Sequence, residues 1–431
     1  MNKKRKIAFK TLGCRLNQYE TDALVTKFHN AGYEIIEFGE KNADVTLINT
    51  CTVTNQSDQK SRNYINQSAR ISPSGINIVA GCMANHHKEE LEKQENITYV
   101  IENEKKNSIF SLVEAHFNGE VIHPEHLKSD VFGFETVEKS LHTRTSIKIQ
   151  DGCDNFCTFC IIPRVRGRAT SRPVNDILEN IHSVIANGFK EIVLTGVNIS
   201  RYDYEGTNFI HLLEKILDIP GDFRVRISSI EPDGFTDDFP QLFDHPKLAP
   251  HLHLCLQSGS DSILMKMRRM YNVSSFMRII DGFRKRIPDF NFTTDIIVGF
   301  PGESEDDFNQ TIEVVKDAEF SHIHTLRYSI RSETRSARMD NQIPEKIKAE
   351  RSEVIRKLSL RNEINYYKSM LDKTQRLLIE NPDYRGYAKG YGENYLPLRL
   401  QANKYNKNQF LNVKLKELNT KNSTFINCVP A

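Results

Sequence analysis

Three cysteines stand close together in residues 147–173, IKIQDGCDNFCTFCIIPRVRGRATSRP: Cys153, Cys157 and Cys160, spaced C-x3-C-x2-C. Thiolates this near one another can share a soft metal centre. Zinc is one candidate, but a structural zinc site closes with four ligands. No fourth cysteine stands near, and the nearest histidine is His142. A four-iron cluster held by three thiolates is the other candidate. It keeps one iron open to a chelating small molecule.

Three further cysteines are far apart in sequence but alike in context. Cys14, Cys51 and Cys82 each follow a short apolar run, IAFKTLG, ADVTLINT and INIVAG, through the turns TLGC, INTC and AGC. Between the runs lie helical stretches, TDALVTKFHNAG, with Gly32 placed as a C-cap, and SDQKSRNYINQSARI. Strands alternating with helices predict a parallel α/β sheet, whose carboxyl edge is where ligands bind. The three cysteines can therefore converge there. The alternative is three buried small hydrophobes. Cys255, inside HLHLCLQ, and Cys428, beyond every motif, read as core.

The first segment, with aromatic Phe159 just before its last cysteine, resembles the radical S-adenosylmethionine superfamily. Together with TLGCRLNQYE, INTCTVTNQSDQKSR and GCMA, the chain resembles the methylthiotransferase family over nearly its whole length. The resemblance implies two [4Fe-4S] clusters, one on Cys14, Cys51 and Cys82, the other on Cys153, Cys157 and Cys160. It also implies S-adenosyl-L-methionine, bound with help from Phe159, from LTGVN (Thr195, Gly196, Asn198), SSIEP (Ser229, Glu231) and LQSGS (Gln257), and from Asp295. It names no catalytic side chain. The stretch TLRYSIRSETRSARM departs from the family's Y-S-x-R-x-G-T-x-A, with Glu333 in place of Gly and Arg335 in place of Pro.

Such cofactors fit a reaction with no polar route. An aromatic C–H such as adenine C2 offers neither an acidic proton nor a leaving group. A 5′-deoxyadenosyl radical can start it, given an electron from a cluster near the low end of a range of about −700 to +450 mV. Within the family, INTCTVT, Lys60–Arg62 and the cluster segment are most similar to the subgroup that acts on N6-threonylcarbamoyladenosine at tRNA position 37. The isopentenyladenosine subgroup is the alternative. A third subgroup modifies an aspartate of a ribosomal protein, and a non-catalytic iron–sulfur RNA-binding protein is a reading of another class. The resemblance implies tRNA as partner, a reductase or flavodoxin-type electron donor, and a sulfur source.

The elements that must position these residues fall into three expected domains. Residues 1–135 read as the parallel α/β domain. Residues 140–370 carry six apolar strand signals, TSIKIQ, EIVLTGV, RVRISSI, HLHLCLQ, FTTDIIVGF and IHTLRYS. They predict a partial, TIM-like (β/α)6 barrel with its site at the strand carboxyl ends. His251 and His253 read equally as satisfied barrel residues or as site residues. The acids of GESEDDF complement a helix start, and a long polar helix of roughly 40 Å leads out of the barrel. Residues 371–431 alternate apolar and polar residues and predict a small OB-like β-barrel, resembling a TRAM domain. Its Lys373, Arg376, Arg385, Lys389, Arg399, Lys404, Lys407, Lys414, Lys416 and Lys421 interleave with Tyr384, Tyr387, Tyr391, Tyr395 and Tyr405. That pattern suits single-stranded RNA.

Composition bounds the rest. With 431 residues the chain has room for two or three domains, and a net charge of +2 confines any nucleic-acid footprint to a local patch. No apolar run reaches the length of a membrane span, and the basic start MNKKRKIAFKTLGC lacks a signal-peptide core. Eight cysteines, mostly in metal-like contexts, fit a reducing cytoplasm better than a disulfide scaffold.

Overall fold

The computed structural model describes residues 4–138, 142–383, 386–401, 405–421 and 423–431. The start of the central segment, residue 140, and Tyr384, Arg385 and Lys404 of the tail lie outside these. The first sheet is all parallel, in the order β2-β1-β3-β4-β5: β1 Lys6–Thr11, β2 Glu34–Ile36, β3 Val45–Thr50, β4 Ile76–Gly81 and β5 Tyr99–Ile101. β3 and β4 are buried along their whole length, as apolar strands covered on both faces must be. α1 (Arg15–Asn30) lays Leu24, Val25 and Phe28 against Ile7, Phe9 and Leu47. α2 (Asn55–Ile71) lays Ile65 against Ile48 and Val79, which the two-residue period of a strand puts on the opposite face. The Thr54 hydroxyl caps α2 by accepting from Ser57 N at 3.1 Å. Gly32, at φ +90°, ends α1 as expected.

Six parallel strands follow in chain order: β6 Thr145–Lys148, β7 Glu191–Thr195, β8 Arg224–Ile227, β9 His251–Leu254, β10 Asn291–Val298 and β11 His322–Arg327. β6 to β8 form one sheet. Ser229–Ile230, the continuation of β8, pairs with β9 and opens the second. Each matches one of the six strand signals. α3 (Cys82–His86) and the short α4 (Ile162–Val165) sit where the first sheet meets this body. The long helix, α5 (Glu345–Ser369), spans about 38 Å at 1.5 Å per residue. It does not simply lead away. Ile355 enters the central core, and Arg351 donates to Glu303 at 2.6 Å.

The tail is a closed barrel, in the order β12-β13-β14-β16-β15: β12 Thr374–Asp383, β13 Tyr387–Tyr391, β14 Pro397–Gln401, β15 Phe410–Asn419 and β16 Phe425–Pro430. Leu377, Ile379, Leu398, Val413 and Cys428 fill it. Two of its expected RNA-facing cations instead hold it to the central body: Lys373 pairs with Asp289 and Arg376 with Asp222, each at 2.5 Å. Lys414 and Lys416 remain about half exposed beside Asp372. Among the described residues, no helix is long and apolar enough to cross a membrane.

Candidate cluster and substrate sites

Register brings the first three thiols together. Thr50 of β3 lies beside Gly81 of β4, so Cys51 and Cys82 leave the sheet as neighbours. Thr11 of β1 lies beside Asn49, and the chain then turns through Gly13 to place Cys14 at the start of α1. A Cβ on Gly13 would stand 2.9 Å from Cys51 Sγ, and one on Gly81 would stand 2.5 Å from the Thr50 carbonyl. Both glycines have positive φ, so no other residue fits these approaches without strain. Burial, with repulsion from Cys82 and Cys14, pushes the Cys51 thiol up to about 11.

The second triplet sits on the loop between β6 and α4. Asn155 N donates to Cys153 Sγ at 3.5 Å, and Arg269 Nη1 donates to Cys157 Sγ at 3.2 Å. Burial, added to the charge of Cys157, pushes Cys160 up to about 12. Each set offers three thiolates, whereas a closed tetrahedral zinc site takes four ligands, so the donor sets fit a four-iron cluster with one open iron better than a single zinc ion. The two loops touch: Cys82 packs on Ile161 and Val165, and the Asn103 amide donates both to Cys82 Sγ (3.6 Å) and to the Val165 carbonyl (2.7 Å).

The other expected site residues gather at the strand ends. Thr195 closes β7, and Gln150 Oε1 holds the following turn by accepting from Val197 N (3.0 Å) and Asn198 N (2.9 Å). Gly196 packs on Gln150 and Ile199, and Ser229 is exposed to the cavity beside it. Gln257, at φ +69°, keeps its buried side-chain oxygen without a partner among the described residues. Asp295 is held below its usual range. Burial opposes this, but the hydrogen bond and charge of His253, 3.3 Å away, outweigh it. Glu231 is already paired, with the Arg269 that also holds Cys157. Phe159 packs edge-on against Phe300 at 6.4 Å. His251 and His253 share the Thr293 hydroxyl, at 3.2 and 2.9 Å. Cys255 is buried, with its sulfur in a close group with His253 and Asp295. Tyr391 and Tyr395 stack on each other beneath Arg144 instead of forming open platforms.

Two networks of contacts were not expected from the sequence, although Arg331 of the second stands in the Y-S-x-R pattern. Behind the thiols, Glu20 accepts from Lys106 (2.6 Å), Lys148 (2.9 Å) and Arg166 (3.2 Å), and Asp151 pairs with Lys148 (2.5 Å) and Arg166 (3.0 Å). All five side chains are buried. Burial alone would raise Glu20, but Arg166, Lys106 and Lys148 hold it well below the carboxylate range, and burial pushes Lys106 down. On the other side, Arg331 reaches from the central body to Asp58 (2.7 Å), Asn55 (2.9 Å) and the Thr52 carbonyl, just past Cys51. Glu333, beside it, meets Arg164 at 3.1 Å.

Residues 6–102 match the family described as Uncharacterized protein family UPF0004, and residues 147–315 match the Radical SAM superfamily. The chain is 36% identical to the threonylcarbamoyladenosine tRNA methylthiotransferase MtaB of Thermotoga maritima, over 96% of this chain and 94% of that one. It is 36% identical to the Bacillus subtilis protein of the same name, over 90% and 89%. It is also 36% identical to a tRNA-2-methylthio-N(6)-dimethylallyladenosine synthase of Fusobacterium nucleatum, over 96% and 98%. The solved structure of the radical S-adenosylmethionine methyltransferase TsrM from Kitasatospora setae shares the fold, with a TM-score of 0.55 and 14% identity over 78% of this chain and 77% of that one.

Proposed function

Since the chain belongs to the radical S-adenosylmethionine methylthiotransferase family, we propose that it places a methylthio group on C2 of N6-threonylcarbamoyladenosine at position 37 of tRNA. One observation carries this most directly. A cavity of about 550 Å³ has Cys14 on one wall and Thr195, Gly196 and Ser229 on another, so the first thiol set and the strand-end residues expected beside S-adenosylmethionine face one space. Cys14, Cys51 and Cys82 would hold one [4Fe-4S] cluster, and Cys153, Cys157 and Cys160 the other, beside S-adenosylmethionine. When bound, these groups supply a 5′-deoxyadenosyl radical, the sulfur and the methyl group.

The chain's own residues orient and enclose. Arg269 ties the Cys157 loop to Glu231 at the end of β8's continuation, which fixes one side of the barrel mouth. Gln150 sets the turn carrying Thr195, Gly196 and Asn198. The unpartnered Gln257 oxygen and the Asp295 carboxylate are acceptors suited to the hydroxyl or ammonium groups of S-adenosylmethionine. Phe159 braces the loop from below. We assign residues 1–135 to sulfur delivery and residues 140–370, as a partial TIM-like (β/α)6 barrel, to radical chemistry. Residues 371–431, as an OB-like TRAM module, bind tRNA. The enzyme works in the cytoplasm with a flavodoxin-type reductase and a separate sulfur donor.

The test is mass spectrometry of tRNA nucleosides from a strain lacking the gene. Loss of 2-methylthio-N6-threonylcarbamoyladenosine, restored by the wild-type gene, is expected. Loss of the methylthio-isopentenyl nucleoside instead would overturn the substrate assignment.

A further inference from the structure

A larger cavity, about 1030 Å³, opens between the inner face of the barrel strands and the C-terminal barrel. His253 and Asp295 lie on its barrel side, Tyr391 and Tyr395 on the other. It is contiguous with the smaller cavity that reaches Cys14, because Arg15, Ser228, Ser229 and Glu380 line both. A base brought into the smaller cavity beside Cys14 therefore has room for a substituent on the larger side.

The charges around this junction are mostly matched. Arg144 pairs with Glu380 at 2.7 Å, Arg226 with Glu191 at 2.9 Å, and His253 with Asp295 at 3.3 Å. Arg15 is different. Its Nη2 donates to the Tyr395 hydroxyl at 3.3 Å, and no described carboxylate lies within 4 Å of it. It stands in the first turn of α1, one residue after Cys14, so its side chain is anchored beside the cluster edge. Its charge is felt there: with Arg144 it draws the Tyr395 hydroxyl below its usual range against the effect of burial.

The two candidate substituents differ in one decisive respect. The isopentenyl group is a hydrocarbon and needs an apolar lining. The threonylcarbamoyl group ends in a carboxylate, and a carboxylate leaving water is costly unless a cation receives it. Resting on the reading of the substrate given above, we propose that Arg15 receives that carboxylate and so selects the acidic substituent over the hydrocarbon one. The guanidinium fork suits two parallel hydrogen bonds to a carboxylate, with the Tyr395 hydroxyl holding one arm in place.

The test compares two anticodon stem-loop RNAs on the reconstituted holoenzyme. One carries N6-threonylcarbamoyladenosine and the other its carboxamide analogue, uncharged but nearly identical in shape. Binding is measured by fluorescence anisotropy. Wild type should prefer the carboxylate RNA by about tenfold to a hundredfold, the range of a hydrogen bond to a charged group. Arg15→Gln should bring that ratio close to one, and Arg15→Lys should keep part of it. A ratio unchanged in Arg15→Gln overturns the proposal, as does a wild-type ratio near one. Equal weakening of both RNAs by Arg15→Gln leaves the ratio unchanged and so counts against it. Methylthiolation of the first RNA by wild type is scored separately. Its absence, with the carboxylate preference intact, would overturn the assigned reaction and leave Arg15 as the carboxylate receptor.

Discussion

Glu20→Gln tests whether the buried ionic cluster holds the first sheet to the central body. Glu20 is fully buried and accepts from three cations, Lys106, Lys148 and Arg166, at 2.6 to 3.2 Å. Glutamine keeps the shape but removes the charge, leaving Lys148 and Arg166 with Asp151 and Lys106 with the Asn17 side-chain oxygen. Removing one partner from a buried ionic group costs about 3–5 kcal/mol, which at about 1.4 kcal/mol per tenfold is two to three and a half decades in the folded ratio. The chain spans several domains, so a single unfolding midpoint is not a clean measure. Urea titration followed by circular dichroism should be paired with hydrogen exchange at the amides of α1 and α4, which the cluster joins. The pH dependence has a definite sign. The folded-state value of Glu20 is depressed, so its contribution is present above the unfolded value of about 4.3 and lost as pH falls through the folded value. The gap between wild type and variant should be level from about pH 6 to 8 and close below about pH 4. A gap under about 1 kcal/mol at pH 7, or one that persists undiminished in acid, would refute the reasoning.

Replacing Cys153, Cys157 and Cys160 together by Ala should lower iron from about eight to about four per chain after anaerobic reconstitution and abolish S-adenosylmethionine cleavage; unchanged iron would sink the assignment. Cys51→Ala should still yield 5′-deoxyadenosine with reductant but no methylthio product on threonylcarbamoylated tRNA, and product at wild-type levels would separate Cys51 from sulfur delivery. Arg331→Met should leave Asp58 short of its cation and weaken the hold on the Cys51 loop by about 2–4 kcal/mol, a buried pair discounted for the partial exposure of Asp58, read as faster exchange in residues 52–58. Neutralising Lys414 and Lys416 should weaken tRNA binding and make the log–log salt slope shallower by about 1.4 to 1.8, whereas an unchanged slope would return both lysines to the solvent.

Three strands of the first sheet and all six of the central body were legible because they depend on local patterning, short apolar runs bounded by turn glycines, whereas the short edge strands β2 and β5 were too brief to read. What escaped was whatever depends on partners far away in sequence. Glu20 closes the motif TLGCRLNQYE and Lys106 lies in a stretch that carried no motif, yet they meet 86 positions apart in the interior. Arg269 gave no sign of holding Cys157, 112 positions away. The basic tail misled in part, since charge composition does not tell a cation that meets RNA from one, like Lys373 or Arg376, that meets a carboxylate of its own chain. The aromatic pair Tyr391 and Tyr395 was visible as residue type, but its place in a cavity wall follows only from the docking of the two barrels.

The buried cluster also bears on how the protein is made. Three bases against two acids leave one positive charge in surplus inside the junction, and Arg166 feels the charge of Cys82 and Cys14. On the cluster assignment proposed above, thiolates that ligate iron would supply the missing negative charge. Loading of iron on the first sheet would then be linked to closure of that sheet onto the barrel. A chain synthesised during iron starvation would keep a poorly matched interior, open more often at this seam, and be cleared by proteases sooner than its loaded counterpart.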